Sequence, residues 1–172
     1  GEAKGRGREV GMVTQIWSRS IYSYSKLRQS PGLNPGRRVN PAATILLAAL
    51  EEARWHAKTF KPTAAGDPCF YIELQRHDTP EQEQINGDLI RIADELDLPL
   101  VCDNDAHFLG EEDYDAHDTL CCISTGKLKE DTNRMHYPRQ IYVKSPQQMA
   151  DLFADLPEAM ENTVKIADRC NV

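Results

Sequence analysis

The sequence predicts an α/β fold: parallel strands with flanking helices, and further helices at the C-terminal end. Three observations carry this. An alternating apolar run, Cys69 to Gln75, is followed by a helix-start signature and then by a short apolar run, Leu100-Val101-Cys102. A strand, a helix and a second strand in that order, with a helix of that length between, make neighbouring parallel strands. From Ser145 onward the pattern is helical only.

Taken in order, residues 1–40 hold Gly, Arg, Ser and Pro in no period, with Trp17, Tyr22 and Tyr24 scattered among them. This stretch reads as a basic, disordered leader, with a DNA-binding arm or a non-native leader as the alternatives. Residues 41–172 are the folded part. Ala42 to Phe60 is rich in helix formers, and Trp55 and Phe60 are assigned to the core. Pro62, Gly66 and Pro68 break the chain before the first strand, which ends at Arg76-His77-Asp78. Thr79 caps the next helix, Pro80 takes its first position, and Gln82 stands where a capping box puts its partner. Ile85, Leu89, Ile92, Ala93 and Leu96 form its apolar face, and Asp97 ends it.

After the second strand, Glu111 to Ile123 is helical, with His117 as a half-buried, hydrogen-bonded histidine rather than a ligand. Gly126-Lys127 is no phosphate loop, because no glycine precedes it at the required spacing. Ile141-Tyr142-Val143 is a short strand or an extended segment. Ser145-Pro146-Gln147-Gln148 repeats the helix-start chemistry for a helix through Phe153. A last helix runs from Leu156 to Arg169, with Ala159, Met160, Val164, Ile166 and Ala167 on its apolar side.

Composition narrows the function classes. The chain has 172 residues, 40% hydrophobic and 27% charged, enough for one soluble domain with a real core. No run approaches the ~18 apolar residues of a membrane span, and no secretory signal opens the chain. Five cysteines without C-x-x-C spacing point to reduced thiols and a cytoplasmic protein. Eight Lys and Arg against two Glu give residues 1–40 a net charge of +6. Twelve basic against twenty-five acidic residues give 41–172 a net charge of −13. A core of that sign does not bind nucleic acid through a basic surface.

The candidate site lies in P-L-V-C-D-N-D-A-H-F-L, Pro99 to Leu109. Side chains alternate along an extended backbone, so Asp105 and His107, two apart, point the same way. A carboxylate with an imidazole at a strand end suits a divalent metal. The alternative is a polar strand-to-loop turn with Asp105 as a cap and His107 solvated. Parallel α/β folds place their sites at the C-terminal ends of strands, where His77 also falls. No residue is assigned as catalytic, and no internal repeat or nucleophile elbow appears.

F-Y-I-E-L-Q-R-H at 70–77, T-P-E-Q-E-Q-I-N at 79–86 and L-P-L-V-C-D-N-D-A-H-F-L at 98–109 resemble the PHP domain of bacterial DNA polymerase III alpha subunits. So do A-H-D-T-L-C-C-I-S-T-G-K at 116–127, Y-V-K-S-P-Q-Q-M at 142–149 and L-F-A-D-L-P-E-A-M-E-N-T-V-K-I-A-D-R-C-N-V at 152–172. The resemblance runs from about Glu51 to Val172 and covers the back half of that domain, leading into a polymerase module. It implies a partial, distorted β/α barrel of the PHP kind whose strand ends hold divalent ions (zinc, manganese or magnesium), with Asp105 and His107 as the last ligand motif. It also implies a template-directed replicative polymerase, a 3′–5′ exonuclease or a structural role for the metal domain, and DNA, a sliding clamp and a proofreading subunit as partners.

The departures matter as much. The family's His-x-His, Asp-His and Ser-Gly-Cys ligand motifs are missing from residues 1–50, which contain no histidine. The expectation is therefore a fragment of a larger enzyme that holds its metal weakly. A free-standing PHP phosphoesterase and a non-catalytic structural domain are the alternatives.

Overall fold

The computed structural model describes residues 12–14 and 41–170. The order is β1 (Met12–Thr14), α1 (Pro41–Thr59), β2 (Phe70–Leu74), α2 (Pro80–Leu96), β3 (Leu100–Cys102), α3 (Tyr114–Thr125), α4 (Pro146–Leu152) and α5 (Pro157–Arg169). A 3-10 turn at Glu111–Asp113 leads into α3. The expectation of a basic leader over 1–40 lies outside the described residues, apart from β1.

The sheet order is β1-β2-β3, and both pairings are parallel. Ile72 pairs with Leu100 and Leu74 with Cys102, as the strand-helix-strand pattern requires. Among the described residues the sheet has these three strands and no closed barrel. Every residue of β2 is buried. Phe70, Ile72 and Leu74 form a core with Leu50 and Ala53 of α1, Leu89, Ile92 and Ala93 of α2, and Ala159 of α5. Each of the Phe, Ile and Leu side chains among them contributes roughly 1.5–3 kcal/mol by leaving water.

Two buried asparagines complete this packing. Asn86 of α2 donates to the Gln75 carbonyl at 2.9 Å, and Asn162 of α5 donates to the Leu100 carbonyl at 2.8 Å. Each satisfies a strand-end carbonyl that a longer ladder would otherwise pair.

Several local expectations change. Trp55 is 57% exposed, not core; Phe60 does pack against it. Val164 and Ala167 face solvent, because α5 turns Ala159 and Asn162 toward β3 instead. Ile141-Tyr142-Val143 takes the extended of its two readings, with one isolated parallel bridge, Phe108 to Tyr142. At α4 the capping box forms as read: Gln148 N–H donates to Ser145 Oγ at 3.2 Å, and Ser145 N–H to Gln148 Oε1 at 2.8 Å. At α2 it does not, since Thr79 makes no side-chain cap bond. Gln82 reaches past it to His77.

Candidate functional site at the strand ends

The polar residues after β2 and β3 meet at one end of the sheet. Gln75 Nε2 donates to Glu73 Oε1 at 2.8 Å and to Asp103 Oδ1 at 2.9 Å, bridging the two strands. Asp103 Oδ1 also accepts the Asp105 N–H at 3.1 Å. That bond helps turn the chain, and Asp105 adopts a left-handed φ of 44°. A short polar side chain tolerates this conformation better than most residues.

The turn removes the premise that gave Asp105 and His107 a common direction. β3 ends at Cys102, so the strand's alternation does not reach residue 105. Both residues are exposed in the loop after it. What the fold sets beside the imidazole is the Asp105 backbone: His107 Nδ1 lies 2.6 Å from the Asp105 carbonyl oxygen. That bond makes Nδ1 the donor and leaves Nε2 as the ring's acceptor. A histidine held this way has the tautomer and orientation of many metal ligands. The His107 N–H donates in turn to the Ile141 carbonyl at 2.7 Å.

His77 falls at the end of β2 as expected, but it is 5% exposed and spends both ring nitrogens on protein. Its N–H donates to Gln82 Oε1 at 2.5 Å, which turns the Gln82 amide nitrogen toward the ring, 3.2 Å from Nδ1. Nδ1 must accept there, so Nε2 carries the proton and donates to the Asn104 carbonyl at 3.1 Å. Burial pushes the His77 pKa below its usual value, the Asn104 bond opposes this, and nearby Lys144 adds to the lowering. His77 is thus not placed as a ligand.

Asn104, buried between the two predicted ligands' strand and their loop, escaped the sequence reading. Its Nδ2 donates to the Gln140 and Tyr142 carbonyls at 2.9 and 2.6 Å, and its Oδ1 accepts from Lys144 Nζ at 3.3 Å. Lys144 also donates to the Gln140 carbonyl and sits 4.1 Å from the Tyr142 ring centre. Burial lowers its pKa. Beside the loop the rings of His107, His117 and Tyr137 touch one another, with centres 4.9 to 5.7 Å apart. His117 is half-buried, as read, with Cys121 Sγ 3.9 Å from each ring nitrogen.

No protein-family model matches the chain. Among curated proteins it is 44% identical over 137 residues to a DNA polymerase III subunit alpha from Campylobacter jejuni, covering 79% of this chain and 11% of that protein. Its identity to the one from Borreliella burgdorferi is 42% over 128 residues, 74% of this chain and 11% of that protein. For Pseudomonas fluorescens the figures are 48% over 105 residues, 60% of this chain and 9% of that protein.

The chain is homologous to part of DNA polymerase III subunit alpha. It spans about a tenth of the length of these relatives. An alignment covering 79% of the chain leaves too few residues at either end to miss β2, α2, β3, Asp105 and His107.

Against a divalent ion, the donors at the loop fit in kind. A carboxylate and an imidazole with one nitrogen already engaged are usual partners of zinc, manganese or magnesium. They are a partial set, since among the described residues no three His, Cys, Asp or Glu side chains gather closely enough to hold an ion. No helix among the described residues is long and apolar enough to cross a membrane.

Proposed function

We propose that this chain is a segment of a bacterial replicative DNA polymerase of the DNA polymerase III alpha kind. Its strand-end loop supplies Asp105 and His107 to a divalent-metal centre in a PHP-like β/α barrel, of which residues 41–172 are the back half. The observation that carries this reading is the 44% identity over 137 residues, a span that takes in both residues.

When bound, the ions would neutralise phosphate charge and activate a water for phosphodiester hydrolysis. The chain's own part is to hold and orient. The Asp105 carbonyl engages His107 Nδ1 and leaves Nε2 for the ion, while the Ile141 carbonyl fixes the His107 backbone. The remaining ligands, the DNA substrate, the clamp and the proofreading subunit belong in this reading to the whole polymerase.

The test is Asp105→Asn in the complete subunit, with bound metal, exonuclease and polymerase activity measured together. The expected result is less metal with polymerisation retained. Loss of metal with unchanged exonuclease would leave a purely structural metal domain, the second reading, which the partial donor set favours. Unchanged metal content would remove Asp105 from the centre.

A further inference from the structure

We propose that His77 is a positioning residue: fixed in one tautomer by Gln82, it sets the loop that carries Asp105 and His107 by donating to the Asn104 carbonyl. The metal part of this inference rests on the function proposed above; the positioning part rests on the geometry alone.

Two short bonds make the link. Gln82, in the first turn of α2, donates to His77 Nδ1 at 3.2 Å, and His77 Nε2 donates to the Asn104 carbonyl at 3.1 Å. Gln82, His77 and Asn104 are all buried, so water cannot stand in for a missing partner. From the other side the Asn104 side chain is held by Gln140, Tyr142 and Lys144. Residue 104 is thereby clamped at its backbone from β2 and at its side chain from residues 140–144, and residue 105 follows it directly. A merely space-filling residue at 77 would need volume but no donor. Here the donor atom faces the one carbonyl from which the loop departs.

The full chain is compared as His77→Leu, which keeps bulk and removes the donor, and His77→Gln, whose amide nitrogen can replace Nε2. Two readouts are taken: hydrogen exchange of the His107 amide, which reports its bond to the Ile141 carbonyl, and Mn²⁺ affinity from the electron paramagnetic resonance of the free ion. In His77→Leu the amide is expected to exchange about tenfold faster, the factor one buried hydrogen bond is worth. Mn²⁺ is expected to bind about tenfold more weakly, the lower end of what supporting residues around a metal contribute. His77→Gln is expected to recover most of both.

An unchanged His107 amide in folded His77→Leu, or equal acceleration in both variants, would overturn the positioning role. If the unsubstituted chain takes up no Mn²⁺, the metal reading falls while the exchange arm still decides the role of His77. Should His77→Leu not fold, Gln82→Met leaves His77 in place, frees its tautomer and carries the same expectation at the His107 amide.

Discussion

Nε2 of His77 lies 3.1 Å from the carbonyl oxygen of Asn104, tying the turn after β2 to the loop after β3. The Gln82 bond needs a neutral ring, because Nδ1 accepts it, whereas the Asn104 carbonyl can accept from the ring in either protonation state. With its folded pKa pushed down by burial, His77 favours the folded state above its unfolded pKa of about 6.5. That contribution is lost as pH falls from about 6.5 through the lower folded value. Lys144 pushes the same way as burial, while Asp103 and Asp105 push back. Urea midpoints measured downward from neutral pH are expected to fall across that window, and His77→Gln to flatten the fall. A slope that His77→Gln leaves unchanged would assign it to other groups.

Asn162 donates to the Leu100 carbonyl from inside α5. Replacing it with leucine leaves a buried carbonyl without its donor, a cost of about 1–3 kcal/mol. Chemical denaturation should show the midpoint falling with the slope unchanged. A variant as stable as the original would mean that the carbonyl finds another partner.

Phe153 is fully buried under the guanidinium of Arg76, whose carbon lies 4.9 Å from the ring centre. Phe153→Ala removes a core ring and opens a cavity, and is expected to lower stability by about 3–5 kcal/mol. Thermal unfolding checks this, and a loss below ~1 kcal/mol would show that the core closes over the gap.

Burial pushes the Cys102 thiol up to about 11, and its Sγ rests 3.1 Å from Met160 Sδ. Cys170 is exposed. Since the thiolate is the reactive form, iodoacetamide at mildly alkaline pH should label Cys170 first and Cys102 only after unfolding. Early labelling of Cys102, read by peptide mass spectrometry, would contradict the packing of α5 on β3.

The parallel pair was legible because its signals are periodic and local: an alternating run, Thr-Pro at a helix start, and Leu100-Val101-Cys102 between polar flanks. The capping box at Ser145 was legible for the same reason. Gln82 was misread because a spacing rule names only the nearest backbone donor, whereas the turn at Asp78, with φ of 57°, brings His77 within reach. The relation of Asp105 to His107 was not legible from alternation, because the strand ends at Cys102 and the chain then enters a left-handed turn. Asn86, Asn104 and Asn162 left no signal, since an asparagine on a polar helix or loop reads as surface. Only tertiary packing turns Asn86 and Asn162 into partners of strand-end carbonyls and Asn104 into a donor to the Gln140 and Tyr142 carbonyls.

The proposed assignment also limits what the chain does alone. With Asp105 and His107 as a partial donor set, the purified chain should neither extend nor degrade a primed DNA at a useful rate in Mn²⁺. Metal-dependent release of nucleotides from the 3′ end would show that the isolated chain already holds a complete centre.

The most direct measurement is a Mn²⁺ titration of the chain beside Asp105→Asn and His107→Ala, with the free ion followed by its paramagnetic signal and folding by circular dichroism. The account predicts weak, saturable uptake by the unsubstituted chain that either substitution abolishes while the fold persists. Uptake that ignores both substitutions, or no uptake at all, would contradict it.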